Sequence, residues 1–477
     1  MENFYVFKTY QNYYVYDASC NKFTKISEDL YKRMNSKKNG DISDIYSLDE
    51  VKRLKERGFF HNDLEIVEHP ATEALPHLVV RQMQTMVLQV TQGCNLRCHY
   101  CPYSQDNHIT RQHNSKIMSW ETAKKAIDIL CEHSMDSEFV TLNFYGGEPL
   151  LNIDLIKKSV IYIEENLYGK DLHFALTTNA TLMTDDIMKF FNENDFSITI
   201  SLDGDKTSND INRQFAYQPT ESVFDVVMEK ICLMKDKYEN LYNKLGLNMV
   251  LDPSIDFMEY DNLLIKYPFL KDISIDVVIK EDTYLDEKNI WIDSFTEKYT
   301  YRIFQGYLRA LYGFKFKSDL QYFANNHKIF DEDVYPAQAG EPNISAEKIT
   351  PLAMCLLGHD KVFVTADGEF YPCEKVNETS KIIKLGDINT GFNYDKLKQV
   401  LNLHKYFQNR CKSCIAIREC SMCLNSFGAI GIEDNALTSE ICKANRVAFC
   451  ETLRKRAIIN EAKEIIENIN VEGGHYE

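Results

Sequence analysis

Cys94, Cys98 and Cys101 fall on one short segment, Cys94-Asn-Leu-Arg-Cys98-His-Tyr-Cys101. Three thiolates on so tight a loop can hold three irons of a [4Fe–4S] cluster and leave the fourth iron without a protein ligand, which makes it a reaction site. A structural zinc site needs a further ligand at short spacing, and this segment does not supply one. A second, denser group lies far along the chain: Cys355, Cys373, Cys411, Cys414, Cys420, Cys423 and Cys442. Its two Cys-x2-Cys pairs are separated by five residues, whereas the pairs of a zinc ribbon stand roughly 15 to 20 apart. Cys20, Cys131, Cys232 and Cys450 stand alone.

The rest of the composition says where such thiols can exist and what they can meet. The chain has 477 residues, about three domains at roughly 150 residues each. Hydrophobic residues make up 44% and charged residues 26%, and no run reaches the roughly 18 apolar residues that a membrane span needs. With 54 Lys and Arg against 71 Asp and Glu, the net charge of −17 argues against nucleic acid and anionic membrane as partners. The start, Met-Glu-Asn-Phe-Tyr-Val-Phe-Lys, has neither a basic n-region nor a long apolar h-region, so no secretory signal is expected. A cytoplasmic protein keeps its thiols reduced, and fourteen cysteines then point to metal binding rather than disulfides.

These cysteines need a scaffold. From residue 86, apolar strands at Met86 to Val90, Phe139 to Tyr145, Leu172 to Thr177, Phe196 to Leu202, Leu247 to Leu251 and Ile273 to Ile279 alternate with helical stretches near 120–134, 153–167, 184–194, 222–242 and 258–267. That alternation predicts a parallel sheet of six βα units, an incomplete barrel whose chemistry sits at the C-terminal ends of its strands. The Cys94 segment follows the first strand, and Gly146-Gly147-Glu148-Pro149 ends the second. Two glycines let the backbone approach a ligand closely, and the carboxylate can bind an ammonium group. An aromatic-rich helical stretch with Trp291, Phe295, Tyr299, Tyr301 and Phe304 reads as core packing, residues 331–351 as a linker or lid, and a final helix runs from about Asn445 to Asn468. At the other end, strands at Tyr5 to Thr9, Tyr13 to Asp17 and Lys22 to Ile26 precede a helix from Ser27 to about Met34. Lys37 to Gly40 reads as a turn, Ser47 with Glu50 as a capping box, Gly58 as a helix stop, and Pro70 and Pro76 as the exit from this unit.

In these motifs the sequence resembles the radical S-adenosylmethionine superfamily, whose signature is Cys-x3-Cys-x2-Cys at the first βα loop of a partial barrel, accompanied by a GGEP segment. The resemblance implies that Cys94, Cys98 and Cys101 hold a [4Fe–4S] cluster and that Gly146, Gly147 and Glu148 meet the methionine part of S-adenosylmethionine. It also implies that Thr178, Asn179, Ser201 and Asp203 touch the sulfonium, carboxylate or ribose, and that Tyr100 packs on the adenine. The seven later cysteines, with Gly368 between the first two, look like the SPASM extension of peptide-modifying radical enzymes. One spacing departs from that pattern, with x2 between Cys420 and Cys423 where the family has x3. By this resemblance Cys355, Cys373 and Cys423 hold a first auxiliary cluster, and Cys411, Cys414, Cys420 and Cys442 a second, three [4Fe–4S] clusters in all. Related sulfatase maturases carry an extra cysteine near the place of Ile349, so the nearer auxiliary cluster is expected to keep an open iron for a substrate thiolate, unless Cys450 or an exogenous thiol fills it. Glu374 stands where those maturases carry an Asp used as a base.

Residues 1–75 resemble the leader-recognising winged helix-turn-helix element of enzymes that modify ribosomally made peptides, in their strand order and in Tyr16-Asp17, Ile26-Ser27 and Gly58-Phe59-Phe60. Such an element binds an extended leader by strand addition. DNA binding is disfavoured, because this unit carries 11 basic and 13 acidic residues and no basic helix face. The expected fold is α/β: this unit, a partial (β/α)6 radical SAM barrel over 76–310, a bridge over 311–354, a SPASM domain over 355–450 and a C-terminal helix over 451–477. The expected activity is formation of Cys-to-carbon thioether crosslinks in a Cys-rich precursor peptide, with an electron donor such as flavodoxin or ferredoxin. Carbon–carbon crosslinking, epimerisation and formylglycine formation in a sulfatase are the near alternatives, and a non-catalytic iron–sulfur electron-transfer or peptide-binding protein is the distant one.

Overall fold

The computed structural model describes residues 4–36, 45, 47–60, 64–104, 111–218, 220–280, 290–312, 348–352, 354–425 and 435–472. The expected turn at Lys37 to Gly40 and most of the expected linker lie outside them. Alternating apolar residues build the first element, an antiparallel sheet of β1 (Phe4–Lys8), β2 (Tyr13–Asp17) and β3 (Lys22–Ile26) in that order. The period of two sends Val15 and Ile26 to one face, where they pack on Leu30 and Met34 of α1 (Glu28–Ser36) and on Val51 and Leu54 of α2 (Asp49–Glu56). Phe7, Tyr14 and Tyr16 go to the other face and pack on Ile417, Phe449 and Leu453 from the far end of the chain. Both faces of this sheet are therefore covered. The expected capping box does not form. Leu48 is the N-cap of α2, and Glu50 instead accepts hydrogen bonds from the Ser27 amide (2.8 Å) and hydroxyl (2.6 Å), tying α2 to the start of α1.

After a two-residue strand β4 (Glu65–Ile66), Pro76 sits in the first turn of α3 (Leu75–Arg81), so it opens a helix rather than only marking an exit. The parallel sheet then follows: β5 (Thr85–Thr91), β6 (Phe139–Gly146), β7 (Asp171–Thr178), β8 (Ser197–Ser201), β9 (Leu245–Leu251) and β10 (Ser274–Ile279), each beside its predecessor. Helices α4 (Trp120–His133), α5 (Ile153–Asn166) and α6 (Asp185–Glu193) return the chain between strands. The side chains of Ser119 and Thr184 accept amide hydrogen bonds at the starts of α4 and α6. Between β8 and β9 the sequence suggests one long helix, but the structure has α7 (Lys206–Asn212), α8 (Val223–Lys237) and α9 (Glu239–Asn243). After α10 (Met258–Lys266), β10 leads to α11 (Asp293–Tyr312). Phe295 is fully buried there and stacks on Tyr299 with centroids 5.7 Å apart, whereas Trp291, Tyr301 and Phe304 are exposed, so only part of the aromatic stretch is core.

The sheet does not stop at β5. Beyond β11 (Lys348–Ile349), which pairs with β4, strand β12 (Val362–Val364) lies parallel to β5 with Phe363 opposite Val87. Strands β13 (Glu369–Tyr371), β14 (Gly386–Asp387) and β15 (Gly391–Phe392) continue it antiparallel, giving one ten-stranded sheet. A long helix, Asn435–Glu472, starts and ends beyond the expected bounds and carries Phe449, Leu453 and Ala457 onto the N-terminal sheet. None of the helices searched among the described residues is long and apolar enough to cross a membrane.

One buried carboxylate fixes that last contact. Glu461 Oε1 accepts from Thr9 Oγ1 (2.7 Å), Asn12 Nδ2 (2.7 Å) and Tyr14 Oη (2.8 Å). Replacing it by alanine strands three donors, and a hydrogen bond to a charged group contributes about 1.5–3 kcal/mol. Glu461→Ala is expected to raise hydrogen exchange at the β1 and β2 amides by at least about tenfold while leaving β6 and β7 protected; unchanged exchange in β1 and β2 would contradict this role.

Candidate functional site

The Cys94 segment is held from two sides. On one side its backbone is zipped to the stretch after α7: the Arg97 amide donates to Gln214 O (2.8 Å), the His99 amide to Asn212 O (2.9 Å) and the Ala216 amide to Asn95 O (2.9 Å). On the other side lies the end of β6. The Gly147 amide donates to Thr91 O (3.0 Å) and the Glu148 amide to Gly93 O (2.8 Å). A Cβ on Gly146, whose φ is +148°, would stand 2.1 Å from Thr91 O, and one on Gly147 would stand 2.1 Å from Gly93 O. Only glycines allow this contact.

Glu148 is fully buried behind the cavity wall. Its carboxylate accepts from the Leu150 amide (3.0 Å), Thr178 Oγ1 (2.6 Å) and the Asn179 amide (2.8 Å), joining the end of β6 to the end of β7. Burial pushes its pKa up, and these hydrogen bonds oppose that shift. Asn179 in turn sends its amide group toward Asn95 Oδ1 (3.0 Å) and Cys94 Sγ (3.9 Å). Asp203 is equally engaged within the protein. It takes Arg213 in a bidentate pair (2.8 and 3.1 Å), the Val250 amide (2.9 Å) and the Tyr100 hydroxyl. The two carboxylates thus brace the wall, and Tyr100 is anchored at its hydroxyl with Arg213 over its ring.

One open cavity of about 430 Å³ gathers most of the residues singled out in the sequence. Cys94, Cys98, Cys101, Tyr100, Gly146, Gly147, Thr178, Asn179 and Ser201 line it, and so does Glu374 from the C-terminal region. Glu374 is held by Lys361, whose Nζ lies 3.2 Å from both carboxylate oxygens. Burial pushes the Cys94 and Cys98 thiols up to about 12. Thiolates here therefore need a bound cation, which the irons of a cluster would supply.

The later cysteines lie in two neighbourhoods. Cys411, Cys414, Cys420 and Cys442 line a second, apolar cavity of about 30 Å³ with Phe407, Ile417 and Met422. Cys355 and Cys373 both feel the Cys423 thiol as a neighbour. Among the described residues no three Cys, His, Asp or Glu side chains converge tightly enough to hold a single metal ion. Thiols spread around a space suit a cluster, in which each binds a different iron. Cys450 neighbours Tyr5 and Cys414, on the side of the far group, and Ile349 is buried against the N-terminal sheet.

Several residues of the site have no signal in the sequence. Arg213 reaches Asp203 only because α7 turns the chain between them. His113 places Nε2 3.7 Å from Cys101 Sγ, and Lys361 meets Glu374 across the β12–β13 hairpin. The contact of Gly147 with Gly93 makes a direct test. Gly147→Ala must push the Cys94 loop outward, and a displacement of this kind costs about 100-fold in rate, so reductive cleavage of S-adenosylmethionine should fall by about that factor. Gly246→Ala, whose Cβ meets nothing closer than 3.7 Å, should leave it unchanged; equal rates in the two variants would contradict the packing argument.

Comparison with known proteins agrees with this geometry. Residues 88–251 match the model of the Radical SAM superfamily. An uncharacterised protein of Methanocaldococcus jannaschii is 39% identical over 137 residues, 29% of this chain and 44% of that protein, so the chain spans less than half of that relative. A cysteine-type anaerobic sulfatase-maturating enzyme of Clostridium novyi is 25% identical over 350 residues, 70% of this chain and 86% of the enzyme. The solved structure of native anSMEcpe with bound AdoMet and Cp18Cys peptide superposes with a TM-score of 0.54 at 21% identity, covering 80% of this chain and 99% of that one, and shares its fold. Residues 88–251 are thus similar to the Radical SAM superfamily, and the longer chain around them is similar to the anaerobic sulfatase-maturating enzymes.

Proposed function

We propose that this chain is an enzyme that matures a Cys-rich precursor peptide by joining cysteine sulfur to carbon. The observation that carries the reading is that Glu374, next to Cys373, opens into the same cavity as the Cys94 loop. Cys94, Cys98 and Cys101 would hold the radical cluster, Cys355, Cys373 and Cys423 the nearer auxiliary cluster, and Cys411, Cys414, Cys420 and Cys442 the farther one. When bound, the first cluster and S-adenosylmethionine supply, on one-electron reduction, a 5′-deoxyadenosyl radical that takes a hydrogen atom from carbon. The chain's own residues set up the encounter. Gly146 and Gly147 allow S-adenosylmethionine to lie against bare backbone, Glu148 and Asp203 brace the wall, and Thr178, Asn179, Ser201 and Tyr100 border the space it fills. Glu374 accepts the proton of a substrate thiol, with Lys361 stabilising the carboxylate position. Overall, one S–H and one C–H would be replaced by S–C: the hydrogen atom would leave in 5′-deoxyadenosine, the proton would pass to Glu374, and the auxiliary clusters that the seven later cysteines would hold would supply the acceptor for the remaining electron.

The precursor's leader would add as a strand to an outer edge of the N-terminal sheet, since both faces of that sheet are covered. A flavodoxin or ferredoxin would deliver the reducing electron. A second reading, oxidation of a Cys or Ser of a sulfatase to formylglycine, has equal support from the similarity to the Clostridium novyi enzyme.

Anaerobic reaction of the reconstituted protein with a Cys-rich precursor, followed by mass spectrometry, separates the two. A loss of two hydrogens per crosslink is expected; a product that reacts with a carbonyl reagent, or an unchanged peptide mass, would contradict thioether formation. Glu374→Gln should lower crosslink formation by about 100-fold, the scale of general acid–base assistance, while 5′-deoxyadenosine still forms. Crosslinking at the rate of the unaltered protein would remove Glu374 from the mechanism.

A further inference from the structure

A buried polar network joins the two halves of the cavity. Arg111 follows the Cys94 loop, and its guanidinium lies 3.8 Å from the centroid of the Tyr103 ring. Tyr103 belongs to the turn that closes on Cys101, where the Ser104 amide donates to Cys101 O (2.9 Å). The same guanidinium forms an ion pair with Glu378, five residues beyond Cys373. The side chains are only 8% and 6% exposed. The other oxygen of Glu378 accepts from Gln89 Nε2 (2.8 Å) and Gln92 Nε2 (3.3 Å), and Gln89 Oε1 accepts from Gln92 Nε2 (2.9 Å) and the Ala366 amide (3.0 Å). Strand β5, the Cys94 loop and the Cys373 segment thus meet at one carboxylate, and Gln89 ties the β12–β13 hairpin to the same network.

The position of Tyr145 shows what this pair sets. Its hydroxyl feels Glu374, Cys101 and Cys373 together, and its side chain lines the cavity that Cys101 and Glu374 also line. Breaking a buried, hydrogen-bonded ion pair from one side leaves an unpaired charge, and this one is a polar tie that runs from the segment following the Cys101 turn to the Cys373 segment.

We propose that Arg111 and Glu378 are positioning residues that fix the spacing between the place where hydrogen is removed and the place where the substrate thiol is held. This rests on the thioether reading given above. Neither side chain lines the cavity, and neither takes part in a bond change. Their effect is on how much S-adenosylmethionine cleavage is converted into crosslinked peptide, because a misplacement of about 1 Å between reacting groups is enough to lose productive turnover.

The test uses the reconstituted full-length protein with a Cys-rich precursor, and measures 5′-deoxyadenosine, crosslinked peptide and bound iron together. The unaltered protein should form about one deoxyadenosine per crosslink. Arg111→Met should raise that ratio at least about fivefold while deoxyadenosine formation stays within about threefold, the signature of lost alignment rather than lost chemistry. Arg111→Lys, which restores the charge, should recover much of the coupling. Glu378→Gln, which keeps the shape, provides a second break of the pair if Arg111→Met does not fold. An unchanged ratio in a folded, iron-replete variant overturns the proposal. So does a parallel fall of deoxyadenosine and product in both variants, which marks a purely structural role. Deoxyadenosine without any crosslink in the unaltered protein overturns the thioether reading itself.

Discussion

Strand β5 is used on both edges. One edge pairs with β6 and starts the barrel, and the other pairs in parallel with β12, so the C-terminal region continues the same sheet instead of hanging from it. The Cys94 loop leaves directly from the end of β5. A single strand therefore sets the relation between the first cysteine group and the Cys373 segment. Parallel pairing buried on both faces tolerates little slippage, since a shift of one residue turns every side chain over. Gln89 is the register mark: from β5 it reaches both Glu378 and the Ala366 amide.

On that frame the cavity is built mostly by exclusion. Two glycines bring β6 against the Cys94 loop at a distance no side chain permits. Two buried carboxylates, Glu148 and Asp203, gather amides, hydroxyls and a guanidinium behind the wall. A buried carboxylate is stable only when its acceptor sites are used, and each here spans two or more strand ends. What remains facing the open space is thiols, the two glycines and small polar side chains beside Tyr100, Tyr145, Val250 and the Glu374 carboxylate, a surface suited to a polar cofactor and an extended peptide.

Much of this is legible in the sequence, for a physical reason. Strands β5 to β10 come within one or two residues of where apolar runs and turn signals put them, because a parallel sheet covered on both faces writes near-continuous hydrophobic segments. The cysteine groups stand out because their spacing along the chain is local. The β5–β12 pairing is not, since three residues, Val362 to Val364, carry too little pattern to name a partner 276 positions away from Met86. Ser47 and Glu50 have the spacing of a capping box, yet Glu50 finds Ser27 in a neighbouring element instead. Arg213 and Arg111 carry no mark in the sequence, and each is buried against a carboxylate, Asp203 and Glu378, that only the fold brings to it. For Glu148 and Asp203 the motif marks the position, and the three-dimensional partners decide that each supports the wall from behind.

The central claim is that hydrogen removal from carbon and capture of sulfur take place in one cavity, on one peptide. Mass spectrometry of the 5′-deoxyadenosine released during turnover of a precursor deuterated at its acceptor carbons tests this most directly. The expected result is one deuterium in deoxyadenosine for each crosslink formed. Crosslinks accompanied by deoxyadenosine that carries only protium would contradict the account.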